Sequence, residues 1–341
     1  MLENLKLFCD SSGISGRENE ITEEIISKIK NKCEYKIDNL GNIICFKKGI
    51  KGKRKQKVML SAHIDEVGLI VTSITDDGYL RFDTVGGIDS RVLPGITVEI
   101  DDVKGVIGIK ALHHLSESQK DTAVKTEDLY IDIGAKNKED AEKLVSPGDV
   151  VSFSKNYFEF GNRMIVSKAL DDRFGVAVLV EILQGEIDWD TYFVFLVQEE
   201  LGTRGAKAAA YTVNPDISLV VEATTACDIT GIENGKEVCK IGKGPVVLFM
   251  DKMNIYDKFL YDKIGEIAKE NGISIQTKNV IEGGNDSSAI AVGAGGARTA
   301  AISIPCRYIH TPCSVASIQD IEQTLLLVKK FVSSDFDKWQ T

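Results

Sequence analysis

Ligand-type side chains in apolar surroundings recur in four widely separated parts of this 341-residue chain. They lie in Ala62-His63-Ile64-Asp65-Glu66, Ala169-Leu170-Asp171-Asp172-Arg173, Gln198-Glu199-Glu200-Leu201-Gly202 and Tyr308-Ile309-His310-Thr311-Pro312, and Val221-Glu222-Ala223 has the same look. Most adjoin an apolar run that reads as a buried strand. A carboxylate at a buried strand end is costly unless it is paired, hydrogen-bonded or bound to a cation. Several such costs converging point to a dinuclear metal site. They also require a fold that gathers distant strand ends in one place.

The pattern along the chain supplies such a fold. Ile21, Ile25, Ile26 and Ile29 share one face of a helix predicted over 14–31. Strands are predicted over 35–38, 42–47 and 58–63, the last an unbroken apolar run that suits a central strand buried on both faces. From 67 to 162 the texture changes to short β-like pieces, at 68–74, 79–82, 96–100, 105–109, 129–132 and 149–152. Asp76-Asp77-Gly78 and Asp101-Asp102 supply hairpin turns, and 137–144 a short helix. From 164 onward helices at 170–183, 203–210 and 256–271 alternate with strands at 192–198, 217–222, 275–278 and 300–304. A last helix opens at Ser317, where Ser317-Ile318-Gln319-Asp320 resembles a capping box. The expected fold class is α/β: a mixed-sheet α/β/α domain over 1–66 and 163–341, split by a small inserted β-barrel over 67–162. Ligand candidates then sit where strands hand over to loops, the usual place for a site in an open α/β sheet.

Composition removes other classes. Charge is 41 − 51 = −10 and no basic stripe appears, so no nucleic-acid partner is expected. The basic cluster over 48–57 reads as a solvated loop. The N-terminus has early charges and no signal-peptide core, and no run approaches the ~20 apolar residues of a membrane span. Seven cysteines without a Cys-x-x-Cys pair fit free thiols in a reducing cytosol, so a cytoplasmic location is expected. Cys227, Cys306 and Cys313, near Glu222 and His310, read as packing rather than as soft ligands.

The candidate site has the inventory of a two-cation centre. Zinc-type ions take imidazoles and carboxylates. His63 and His310 are the imidazoles, and Asp171, Glu200 and Glu222 the carboxylates. Asp65, two residues from His63, is placed to bond its second ring nitrogen and fix the tautomer. Glu199 and Glu200 are adjacent and point apart, which leaves Glu199 to face substrate as a general base. Each motif has a plain alternative. Asp171-Asp172-Arg173 also suits a helix start, and Glu199-Glu200 also suits a cap. Gly283-Gly284-Asn285-Asp286-Ser287-Ser288 is either an anion-binding helix start or only a turn. His113-His114 is either a loop pair or a contribution to a partner subunit's site.

With these residues placed, the chain resembles the glutamyl and tetrahedral (TET) aminopeptidases, metallopeptidase family forty-two, whose members are sometimes labelled endoglucanase M. The resemblance spans nearly the whole chain. It rests on the order His-x-Asp-Glu, β insertion, Ala-Leu-Asp-Asp-Arg, Gln-Glu-Glu-Leu-Gly-x-Arg-Gly-Ala, acidic strand end and Arg-Tyr-Ile-His-Thr-Pro. It implies that His63 and Glu222 bind one metal and Glu200 and His310 the other. Asp171 would bridge, Glu199 would be the general base, and Asp65 would orient His63. Glu222 stands where the family commonly has Asp, with Asp228 as the alternative ligand. The resemblance further implies two Zn²⁺ or Co²⁺ ions per subunit and removal of N-terminal residues from peptides. Dimers built through the inserted domain would assemble into a tetrahedral dodecamer. A glycoside hydrolase is the rival enzyme. It needs two carboxyl groups facing each other roughly 5–9.5 Å apart across a sugar bond, which the adjacent Glu199 and Glu200 do not readily supply. A carboxypeptidase or another metal-dependent amidohydrolase could use the same ligands.

Overall fold

The computed structural model describes residues 1–233 and 235–336. Its main sheet is ordered Glu34–Ile37, Ile43–Lys47, Thr191–Leu196, Val58–His63, Ile217–Thr225, Arg298–Arg307, Ser314–Ser317, Met164–Ser167 and Phe158–Phe160. Four consecutive strands at its centre, from Thr191–Leu196 to Arg298–Arg307, run parallel. Met164–Ser167 points the same way, because it pairs antiparallel with Ser314–Ser317, which is itself antiparallel to Arg298–Arg307. Five strands therefore end on one edge of the sheet.

Side-chain alternation makes three layers. In Thr191–Leu196, Phe193 and Phe195 join the apolar cluster that contains helix Leu170–Gln184, while Val194 and Leu196 join the one that contains helix Arg204–Val213. Successive strand residues face opposite sides of a sheet, so a strand covered on both faces must be apolar throughout. Val58–His63 is buried at every position, as its run predicted. The second unit is a closed barrel of Gly68–Ile74, Leu80–Val85, Leu129–Asp132, Val103–Ile109, Thr97–Ile100 and Val150–Phe153, with its own apolar core.

Several element boundaries differ from the sequence reading. The first long helix runs only over Asn19–Ile29, because residues before it form a loop in which the Ile14 segment bridges to Glu66. A helix at Leu2–Asp10 was not anticipated. The capping box at Ser317 does not form. Ser317 Oγ accepts from the Gln319 amide, but the buried Asp320 carboxylate accepts instead from the amides of Gly242 and Gly244. A loop with two free amides outcompeted the helix's own N-terminus for that acid.

A buried ion triad sits where barrel and sheet meet. Lys168 Nζ lies 2.8 Å from Glu66 Oε1, and Arg173 Nη2 3.4 Å from the same oxygen. Arg173 also donates to the carbonyls of Phe8 and Ser11, at the C-terminal end of helix Leu2–Asp10. Cationic donors suit such carbonyls.

Candidate metal centre

All seven site candidates gather on the edge where the parallel strands end. His63 is the last residue of its strand, Glu199 and Glu200 follow Leu196, Glu222 lies near the end of Ile217–Thr225, and His310 follows Arg307. Asp171 stands just beyond Met164–Ser167. Regular helix begins only after Asp172. Asp171 has extended backbone angles, its peptide to Asp172 is cis, and Asp172 Oδ1 accepts from the Gly175 amide. The two acids thus divide roles: Asp172 caps the helix and Asp171 turns into the cluster.

Asp171 lies between both imidazoles. Its Oδ1 is 3.3 Å from His63 Nε2, and its Oδ2 is 3.5 Å from His310 Nε2. Glu200 Oε1 is 3.1 Å from the same His310 nitrogen. Ligand atoms of His63, Asp171 and Glu222 lie within 4.8 Å of one another, as do those of Asp171, Glu200 and His310. The two groups meet at Asp171. A third set, His63, Glu199 and Glu200, satisfies the same limit. No cysteine joins these groups among the described residues.

The outer ring nitrogens are also engaged. His63 Nδ1 lies 3.1 Å from the main-chain oxygen of Asp65 and 3.5 Å from its Oδ1. His310 Nδ1 lies 2.9 Å from the main-chain oxygen of Gly87. A proton on each Nδ1 leaves each Nε2 lone pair facing the cluster. Gly87 belongs to the segment before the barrel strand Thr97–Ile100, and no sequence signal marked it. Asp65 also anchors the loop that carries Glu199 and Glu200. Its carboxylate accepts from Ser15 Oγ at 2.6 Å and from the amides of those two residues at 2.9 and 3.1 Å. Ser15 too was invisible in sequence. Ala169, Gln198, Thr203, Tyr308 and His310 all have positive φ, uncommon for non-glycine residues and typical of functional loops.

Other candidates stand apart. Asp228 is held by Arg307, whose Nε and Nη2 lie 2.7 and 2.8 Å from its two oxygens. His113 and His114 are exposed on the barrel, with ring centroids 4.1 Å apart and planes tilted by 47°. The helix after the glycine turn is five residues long, Ser287–Ala291.

The cluster's electrostatics favour a cationic partner. Burial pushes Glu199, Glu200 and Glu222 upward, and neighbouring carboxylates add to the effect. Asp286 rises to about 7 for the same reason. Burial opposes charge on both histidines, yet Asp171 and Asp65 pull His63 well above its usual range, and Asp171 and Glu200 take His310 to about 11. Burial alone would raise Asp171, but its hydrogen bonds to His310 and His63 hold it low. Without a cation, the acids must share protons with the imidazoles. Glu222 Oε2, buried, has no hydrogen-bond partner. The donor set and this orphaned oxygen both fit divalent cations.

Comparison with known proteins agrees with this chemistry. The family model described as M42 glutamyl aminopeptidase matches residues 41–327. An Acetivibrio thermocellus protein described as a putative aminopeptidase is 41% identical over 96% of this chain and 97% of its own length. A lysyl aminopeptidase of Pyrococcus furiosus is 32% identical over 96% and 95%. The TET1 peptidase structure of Pyrococcus horikoshii, described as assembling into a tetrahedron or a large octahedral shell, superposes with a TM-score of 0.86. It is 37% identical, over 97% of this chain and 98% of that one.

Proposed function

Because this chain belongs to the M42 glutamyl aminopeptidase family and is a metal-dependent aminopeptidase, we propose how its residues divide the work. His63 and Glu222 would hold one cation and Glu200 and His310 a second, with Asp171 shared between the two groups. The observation that carries this reading is the meeting of two ligand groups at Asp171, with one carboxylate oxygen toward each imidazole. Bound divalent cations supply Lewis acidity, lowering the pKa of a water and polarising the scissile carbonyl. Zinc and cobalt both suit this ligand set.

Glu199 is the general base. A carboxylate oxygen of Glu199 takes the proton of the attacking water and returns it to the departing nitrogen. Burial and the acids around it raise its proton affinity, which suits a group that must hold a proton between the two steps. Asp65 positions this step twice, through His63 Nδ1 and through the amides of Glu199 and Glu200.

The substrates are peptides with a free N-terminal amine. The tetrahedral or octahedral assembly described for the Pyrococcus horikoshii protein supports a homo-oligomer here, and our reading of it is a dodecamer of dimers joined through the barrel. Free thiols at all seven cysteines fit the cytoplasm.

Aminoacyl chromogenic substrates, with an N-acetylated control, test the reading before and after chelation and after Zn²⁺ or Co²⁺ add-back. Free-amine substrates alone should be cleaved, cleavage should stop on chelation, and either ion should restore it. Equal cleavage of the acetylated control, or full activity in chelator, would overturn it.

A further inference from the structure

Family membership does not fix which N-terminal side chain the enzyme prefers: the family description reads glutamyl, while the Pyrococcus furiosus relative is a lysyl enzyme. The pocket beside the cluster has a volume of 150 Å³, and its walls include Glu199, Glu222, Asp251, Lys278, Gly283 and Asn285. It has room for one side chain. Two ionisable side chains in it, Asp251 and Lys278, are not ligand candidates, and they differ in how many hydrogen bonds they make.

Asp251 is 1% exposed. Its Oδ1 accepts from the amides of Met253 and Asn254 at 2.7 and 2.8 Å, and its Oδ2 from the Tyr256 hydroxyl at 2.6 Å. Those bonds absorb its charge locally. Lys278 is 8% exposed and follows Gln276–Thr277, a short strand paired with Val246–Val247. Its Nζ donates to the main-chain oxygen of Glu282 and lies 3.9 Å from the place a Cβ on Gly283 would take. The glycine, at φ +70, leaves that approach open. An ammonium has three donors. Burial pushes the Lys278 amine down, and the nearby acids, first among them Asp251 and Glu222, oppose this only through the field, while the Glu282 carboxylate pairs with Lys252. Among the described residues, that bond to Glu282 is the one hydrogen bond of Lys278 Nζ, and a nearly buried ammonium with donors to spare carries a desolvation cost that a carboxylate would relieve.

We propose that Lys278 is the specificity determinant of this pocket, and that its Nζ receives the side-chain carboxylate of an acidic N-terminal residue. The proposal rests on the aminopeptidase reading above. A leucine in the pocket would leave the ammonium desolvated and unpaired, and a lysine would set like charges together. One charge-assisted bond of this type favours the acidic substrate by at least about tenfold.

The test is kcat/KM of the metal-loaded enzyme on glutamyl, aspartyl, leucyl and lysyl p-nitroanilides. Glutamyl or aspartyl substrate should exceed leucyl by at least about tenfold, with lysyl lowest. Lys278→Met should lower the glutamyl-to-leucyl ratio by about tenfold or more, Lys278→Glu should move the preference to lysyl, and Lys278→Arg should keep it acidic. Ratios are used because general misfolding lowers all four substrates together. If Lys278→Met fails to fold, the wild-type ratios and Lys278→Arg still decide. A wild-type preference for leucyl or lysyl overturns the proposal, and so does an unchanged ratio in folded Lys278→Met. Vigorous leucyl cleavage in either case leaves the aminopeptidase reading standing. Failure to cleave any of the four removes that reading and the proposal together.

Discussion

Glu199 and Glu200 are neighbours in the chain but are read as having separate duties, and the structure gives the physical basis for testing that split. Glu200 touches His310 at 3.1 Å, whereas Glu199 faces Asp286 and His63 through the field. Glu199→Gln keeps shape and removes the proton carrier. It should lower kcat by about 10²–10⁴-fold with metal content intact by elemental analysis. Equal loss of metal would show the two roles to be exchanged. The proton on His310 makes a second prediction. That imidazole holds its proton up to about 11 when no cation competes. A cation that takes Nε2 must expel it, so lowering the pH strengthens the competitor and raising it weakens the competitor. Between about pH 6 and 8 the apparent Zn²⁺ affinity of stripped protein should rise about tenfold per pH unit for each proton displaced. Titration calorimetry in buffers of different protonation heat measures the release. An affinity independent of pH would contradict this account.

At the scale of elements, the Glu66–Lys168–Arg173 triad ties three segments together: the end of the first parallel-strand loop, the turn before Asp171, and the helix that follows it. Removing one partner of a buried ion network leaves the others uncompensated. Glu66→Ala should therefore cost about 3–5 kcal/mol, read as a lowered melting temperature of metal-loaded protein, and Glu66→Gln less. A melting temperature unchanged in Glu66→Ala would mean the triad is structurally idle. This triad also marks where sequence reasoning stops. His63, Glu222 and the Glu199-Glu200 pair were legible because an apolar run announces a buried strand, and an ionisable group at its end is conspicuous. Glu66 and Lys168 are separated by 102 positions, and Glu66 and Arg173 by 107. Nothing local in either segment encodes such a pairing. The same holds for Ser15 on Asp65, for Gly87 on His310 and for Asp320 on the Gly242–Gly244 loop. Periodicity identified the layers and the barrel, but tertiary partners decided the element ends and the supporting contacts.

The whole molecule leaves apolar side chains in water on both of its units. On the barrel, Leu112 is 67% and Leu144 54% exposed, and on the α/β unit Ile255 is 75% and Val292 82% exposed. In the proposed assembly these side chains are contact points to test, those on the barrel for the dimer and those on the α/β unit for the joining of dimers. Native mass spectrometry should then give a particle of twelve chains of 37.3 kDa each. Leu112→Glu places a charge on the barrel face and should divide the particle into smaller species. Every proposed ligand and the proposed base come from one chain, so the smaller species should retain metal and cleave aminoacyl p-nitroanilides within about threefold of the intact particle. An intact twelve-chain particle in Leu112→Glu would remove Leu112 from any barrel contact. Dissociation with metal retained but cleavage lost would mean that the site is completed across the interface. His113 and His114, exposed beside Leu112, would then be the first side chains to replace.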